Sequence, residues 1–69
     1  MNFVVCIDNI DYPADLQLHK IYRVVPDASL EADDIRIIDE SGEDYIYPKS
    51  FFAPINVPEQ VKASFLQAA

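Results

Sequence analysis

A nucleophilic thiolate with its imidazole base is the first chemistry to look for, and this sequence holds one cysteine and one histidine, Cys6 and His19. Such a pair needs an accessible sulfur beside the ring. Cys6 instead lies inside the apolar run Phe3-Val4-Val5-Cys6-Ile7, where cysteine behaves as a small buried hydrophobe, and His19 follows Leu18 where a loop enters a strand. No glycine-rich phosphate loop is present either, so the expectation is a non-enzyme without a cofactor. Carboxylates are the other reactive groups. Asp33-Asp34 and Asp39-Glu40…Glu43-Asp44 offer oxygens to a hard cation, but neither has the alternating Asp-x-Asp-x-Asp-Gly spacing with a terminal Glu that wraps one ion. One Cys and one His cannot supply the soft ligands of a zinc site. No metal site is expected, and the acids read as a solvated charge run.

Where the charge lies carries information about partners. Twelve Asp and Glu against five Lys and Arg give a net charge of −7, and the whole excess falls between Asp27 and Asp44, where Arg36 is the single base. Nucleic acid binding depends on clustered Lys and Arg that neutralise phosphates, so DNA, RNA and anionic membranes are excluded as expected partners. The acids keep a small protein soluble, or they dock a basic partner surface.

The elements that would position these residues are mostly strands. Phe3 to Ile7 reads as a short buried strand, Asn9 to Leu18 as an irregular excursion broken by Asp11, Pro13 and Asp15, and Lys20 to Val25 as a second strand stopped by Pro26. Alternation turns Ile21, Arg23 and Val25 one way and Tyr22 and Val24 the other. Pro26 to Asp34 is a polar acidic loop. Two strand-like runs, Ile35 to Ile38 and Tyr45 to Tyr47, flank Ser41-Gly42, and glycine supplies the positive φ a tight hairpin loop requires. After Pro48, Lys49 to Phe51 is about one helical turn, and Phe52 to Val57 is a last strand with Pro54 near an edge. Val61, Phe65 and Ala68 then recur at helical spacing, with Leu66 about 100° around from Phe65. Asn56 and Glu59 have capping-box spacing while Pro58 prefers the first helical position, cues that place the helix start one residue apart.

This order of elements resembles the Src-homology-3 barrel. Leu16 to Val24 is loosely similar to that family's passage from its acidic loop into its second strand, and Tyr47-Pro48-Lys49-Ser50-Phe51-Phe52-Ala53-Pro54 is similar to its hydrophobic-Pro-x-x-Tyr-Val-x-Pro ending. The resemblance implies a small, mainly β, five-stranded antiparallel Src-homology-3-like barrel over about residues 3–57 with a short C-terminal α-helix over about 58–68. It also implies a protein-binding groove in which Pro48 and Phe51 stand where the family's Pro and Tyr contribute, with Tyr12, Tyr22, Tyr45 and Tyr47 as further aromatic surface. The family's Ala-Leu-Tyr-Asp-Tyr signature has no counterpart in Val4 to Asp8, and its groove tryptophan cannot exist in a chain without Trp. Polyproline recognition of the usual kind is therefore not expected. Ile35 to Pro48 also resembles, nearly residue for residue, the Ile-Arg-Val-Ile-Asp-Glu-Ser-Gly-Glu-Asp-Tyr-Leu-Tyr-Pro segment of a group of short bacterial proteins of unassigned activity.

Size and composition complete the expectation. Sixty-nine residues, half of them apolar and a quarter charged, suit one globular domain over 1–69. A single cysteine forms no internal disulfide, no apolar run reaches the ~20 residues of a membrane helix, and Met1-Asn2-Phe3 lacks the positive start of a signal peptide. A cytoplasmic bacterial protein is expected. Its expected role is a protein–protein interaction module whose unidentified partner has a basic surface; the alternative is a small structural or regulatory subunit of a larger complex.

Overall fold

The computed structural model describes residues 2–67; Ala68, the last position of the helical stripe, and the Leu66 side chain lie outside that description. Five antiparallel strands, one 3₁₀ turn and one helix follow in chain order: β1 Phe3–Cys6, β2 Ile21–Arg23, β3 Asp34–Ile38, β4 Asp44–Pro48, the turn Lys49–Phe51, β5 Phe52–Ile55 and α1 Glu59–Gln67. They make two sheets. β1 lies between β2 and β5, with Val4 opposite both Tyr22 and Pro54, while β3 pairs with β4 in the register Ile37↔Tyr45 and Ile35↔Tyr47.

This corrects the expected fold: the strands do not close into a five-stranded barrel. The two sheets touch through an isolated bridge, Val24↔Ile37, where the Val25 N–H donates to the Arg36 carbonyl at 2.8 Å. Pro26 comes next, and a residue without an N–H cannot extend the ladder that would fuse β2 to β3. At the other end the 3₁₀ turn redirects the chain from β4 into β5, which pairs with β1 and not with β4. Pro54 sits on β5, an edge strand of its sheet, as its missing donor requires.

Side-chain alternation sends Val4 and Cys6 from β1, Tyr22 from β2, Ile37 from β3 and Tyr47 from β4 into one core with Phe51 and Phe52. Leu16 joins them from the β1–β2 excursion and is fully buried, like Cys6 and Ile37. That segment is therefore anchored rather than loose. The Asn9 side-chain amide donates to the Leu16 carbonyl at 2.9 Å, and the Tyr12 and Leu16 N–H groups close turns onto Asn9 and Tyr12. Asp11 and His19 take positive φ of 72° and 68° to make its bends.

The outer face of the three-stranded sheet carries Phe3, which α1 covers: the Phe3 and Phe65 rings lie 4.8 Å apart and Phe3 is 2% exposed. Helix α1 begins when the Pro58 carbonyl accepts the Val61 and Lys62 N–H groups, which puts Pro58 at the cap itself. Of the expected apolar stripe, Val61 and Phe65 are half-buried, and Phe65 meets the sheet through Phe3. None of the described helices is long and apolar enough to cross a membrane.

Candidate functional site

The β3–β4 connection organises the most chemically distinctive surface. Gly42 has φ of 83° and its N–H donates to the Asp39 carbonyl at 3.0 Å, while the Asp39 N–H donates to the Glu43 carbonyl at 3.1 Å. These bonds define a hairpin loop of Glu40, Ser41 and Gly42, in which a type I turn is followed by a left-handed glycine. The Asp39 side chain ties the loop down. Its Oδ1 accepts from the Ser41 N–H at 2.9 Å and from Ser41 Oγ at 2.5 Å, and its Oδ2 accepts from the Tyr47 hydroxyl at 2.5 Å.

Asp39 is the one buried charged residue among those described. Burial opposes its ionisation, but the bonds from Ser41 and Tyr47 outweigh that cost and hold its carboxyl below the usual aspartate range. Burial, and then the bond to Asp39, push the Tyr47 hydroxyl well above the ordinary tyrosine range. The pair is an ionised carboxylate clamped by a protonated phenol.

Above this clamp, Tyr12 stands edge-on to the Tyr47 ring at 5.1 Å and to Phe51 at 6.0 Å. The β1–β2 excursion and the hairpin thus enclose a shallow groove of about 380 Å³ lined by Tyr12, Asp15, Asp39, Ser41, Tyr45, Ile46 and Tyr47. Tyr12 and Tyr45 are 37% and 50% exposed overall, Ile46, which alternates to the other face of β4, is 47% exposed, and Tyr47 is 4% exposed and forms the floor. The Glu40 N–H donates to the Asp15 carbonyl at 3.1 Å, which fixes the two walls to each other. The groove is lined by two acidic residues, Asp15 and Asp39, and by no Lys or Arg. Glu43 at the rim accepts from the Tyr45 hydroxyl at 3.3 Å, and its charge raises the Tyr45 pKa.

Of the six expected binding residues, Tyr12, Tyr45 and Tyr47 come together. Phe51 is buried behind Tyr12, and Pro48 is half-buried at the end of β4. Tyr22 belongs elsewhere. Its ring is in the core, and its hydroxyl accepts from the Gln17 N–H and donates to Glu40 Oε1, each at 2.8 Å. Burial and then the Glu40 carboxylate drive its pKa up to about 12 against the lowering effect of the Gln17 N–H. Glu40 also meets Lys20 at 2.6 Å. Asp15, Asp39, Ser41 and Ile46 also line the groove and are not among the expected binding residues; Asp39-x-Ser41, a pattern in which aspartate bonds the backbone two residues on, is the sequence signal for the turn that sets the groove wall.

The other candidate chemistries resolve differently. Cys6 is fully buried, its thiol donates to the Asp8 carbonyl at 3.3 Å, and burial raises its pKa, which keeps it a thiol. The exposed His19 meets it through the backbone, its N–H donating to the Cys6 carbonyl at 2.7 Å. In the acidic window Arg36 is gripped between Asp27 at 3.0 Å and Asp44 at 2.9 Å. No family model matches the chain, and no curated protein or solved structure matches it, so function rests on the geometry.

Proposed function

We propose that the protein is a non-enzymatic binding module that docks a basic segment of a partner protein in the Tyr12–Tyr45–Tyr47 groove. The observation that carries this reading is the pairing, in one groove, of exposed tyrosine surface with carboxylates and no base. A guanidinium or ammonium group gains twice in such a place. It lies over an electron-rich ring face, and it forms a charge-assisted hydrogen bond to a carboxylate such as that of Asp15. The net charge of −7 steers a basic partner toward the protein and repels acidic ones. The cytoplasmic location and the kinship with the short bacterial proteins that share the Ile35–Pro48 pattern belong to the same proposal.

The test is an array of acetylated pentapeptides carrying Arg, Lys, Glu or no charge, titrated against the protein by tyrosine fluorescence. Arg- and Lys-containing members should bind saturably, more weakly as salt rises, and Tyr12→Ala should abolish binding while leaving the folded state intact. Equal binding of the Glu-containing peptides, or no saturable binding by any member, would refute the reading.

A further inference from the structure

Three consecutive residues of β4, Tyr45, Ile46 and Tyr47, line the groove, and the hydrogen-bond phase of that strand's outer edge follows from the contacts around it. The Arg36 carbonyl accepts from Val25 on the far side of β3, so Arg36 and its partner Ile46 form a pair that exchanges no hydrogen bonds across β3–β4. The Asp39–Glu43 bond at the loop gives the same phase independently, since pairs alternate along the ladder and Ile37↔Tyr45 and Ile35↔Tyr47 then carry the bonds. The N–H and C=O of Asp44 and Ile46 therefore point outward, away from β3. Pro48 occupies the next outward position, where its missing N–H costs the β3–β4 ladder nothing. No other described strand pairs with this edge, and Asp44, Tyr45 and Ile46 are all exposed.

Building on the proposed function, we infer that a basic partner segment binds as an added antiparallel strand on β4. Its central residue would exchange hydrogen bonds with the outward N–H and C=O of Ile46. Alternation then fixes the chemistry of the segment. The residue opposite Ile46 shares that side chain's face and is apolar, and its two neighbours fall opposite Tyr45 and Tyr47, over the tyrosine groove near Asp15, where basic side chains fit. The recognised pattern is basic–apolar–basic in an extended conformation. A second copy of this chain fits the same edge poorly, because it would bring together two molecules of charge −7 and lay one Glu43-Asp44 edge against another.

The probe is the peptide acetyl-Thr-Arg-Val-Arg-Thr-amide, used with two backbone-methylated versions so that the protein itself is unaltered. Methylating the Val nitrogen removes the donor aimed at the Ile46 carbonyl and should weaken binding at least tenfold, whereas methylating an Arg nitrogen, which faces away from β4, should change it less than threefold. Amide exchange at Ile46 should slow at least tenfold in the complex. If the peptide binds and shifts the Tyr12 and Tyr45 resonances, yet Ile46 exchange and the response to Val methylation are unchanged, strand addition is wrong and the groove reading survives. If the peptide does not bind saturably, strand addition is overturned, and the pentapeptide array decides separately whether the groove reading falls with it.

Discussion

Replacing the buried Asp39 with Ala should destabilise the protein strongly. The substitution removes the acceptor of three hydrogen bonds. Two of their donors belong to Ser41, which is exposed and can turn to water, so their loss costs about 0.5–1 kcal/mol through the loosened turn. The third donor is the Tyr47 hydroxyl on a ring that is 4% exposed, and stripping a buried hydroxyl of a charged partner costs about 1.5–3 kcal/mol. The sum, about 2–4 kcal/mol, is a large share of the roughly 4–10 kcal/mol that a domain of this size possesses. With a urea m-value near 1 kcal/mol/M the denaturation midpoint should fall by about 2–4 M. A double-mutant cycle isolates the clamp: Asp39→Ala with Tyr47→Phe should be less destabilising than the sum of the two single changes by about 1–2 kcal/mol. The pH dependence has a definite sign. Asp39 titrates below its ordinary range in the folded state, so its contribution is complete above the unfolded value of about 3.9 and is lost as pH falls through the lower, folded one. Asp39→Asn should therefore lose less stability than wild type between pH 5 and pH 3. Strict additivity in the cycle, together with an unchanged acid limb in Asp39→Asn, would refute the clamp.

Three further outcomes follow from the packing. Leu16→Ala empties a fully buried position and should cost about 2–5 kcal/mol by urea denaturation; a cost under 1 kcal/mol would mean that the β1–β2 excursion is not anchored by this side chain. Gly42→Val should cost about 1–2 kcal/mol from backbone strain alone, because a Cβ there meets nothing within 4 Å while φ is 83°, and an unchanged midpoint would show a differently built turn. Cys6 should react with a thiol reagent only as fast as the protein opens, its labelling rising with urea, and rapid labelling of the folded protein would contradict its burial.

Much of this architecture is legible in the chain itself. The apolar run at Phe3, the break at Pro26, the hairpin around Gly42, the one-turn connector at Lys49–Phe51 and the helix after Pro58 are local signals, and each stands where its residues place it. Closure was not local. Whether β2 and β3 fuse depends on how far a ladder runs past Val25, and the strand pattern alone reads as a barrel where the hydrogen bonds make two sheets. Leu16 illustrates a second blind spot, since nothing in the Leu16-Gln17-Leu18 step says that Leu16 is buried while Leu18 is exposed, and the turns at Asn9 and Tyr12 set that outcome. The four tyrosines carry no mark in sequence that separates the groove from the core. Position on β2 turns Tyr22 inward to Glu40, while the wrap of the excursion brings Tyr12 onto Tyr47 across thirty-five positions of chain.

The groove reading meets its most direct test in a nuclear magnetic resonance titration of the labelled protein with the tightest basic pentapeptide. The account predicts saturable shifts concentrated at Tyr12, Asp15, Tyr45 and Ile46, weakened by added salt and lost in Tyr12→Ala. Shifts centred instead on α1 and Phe3, or none at saturating peptide, would contradict it.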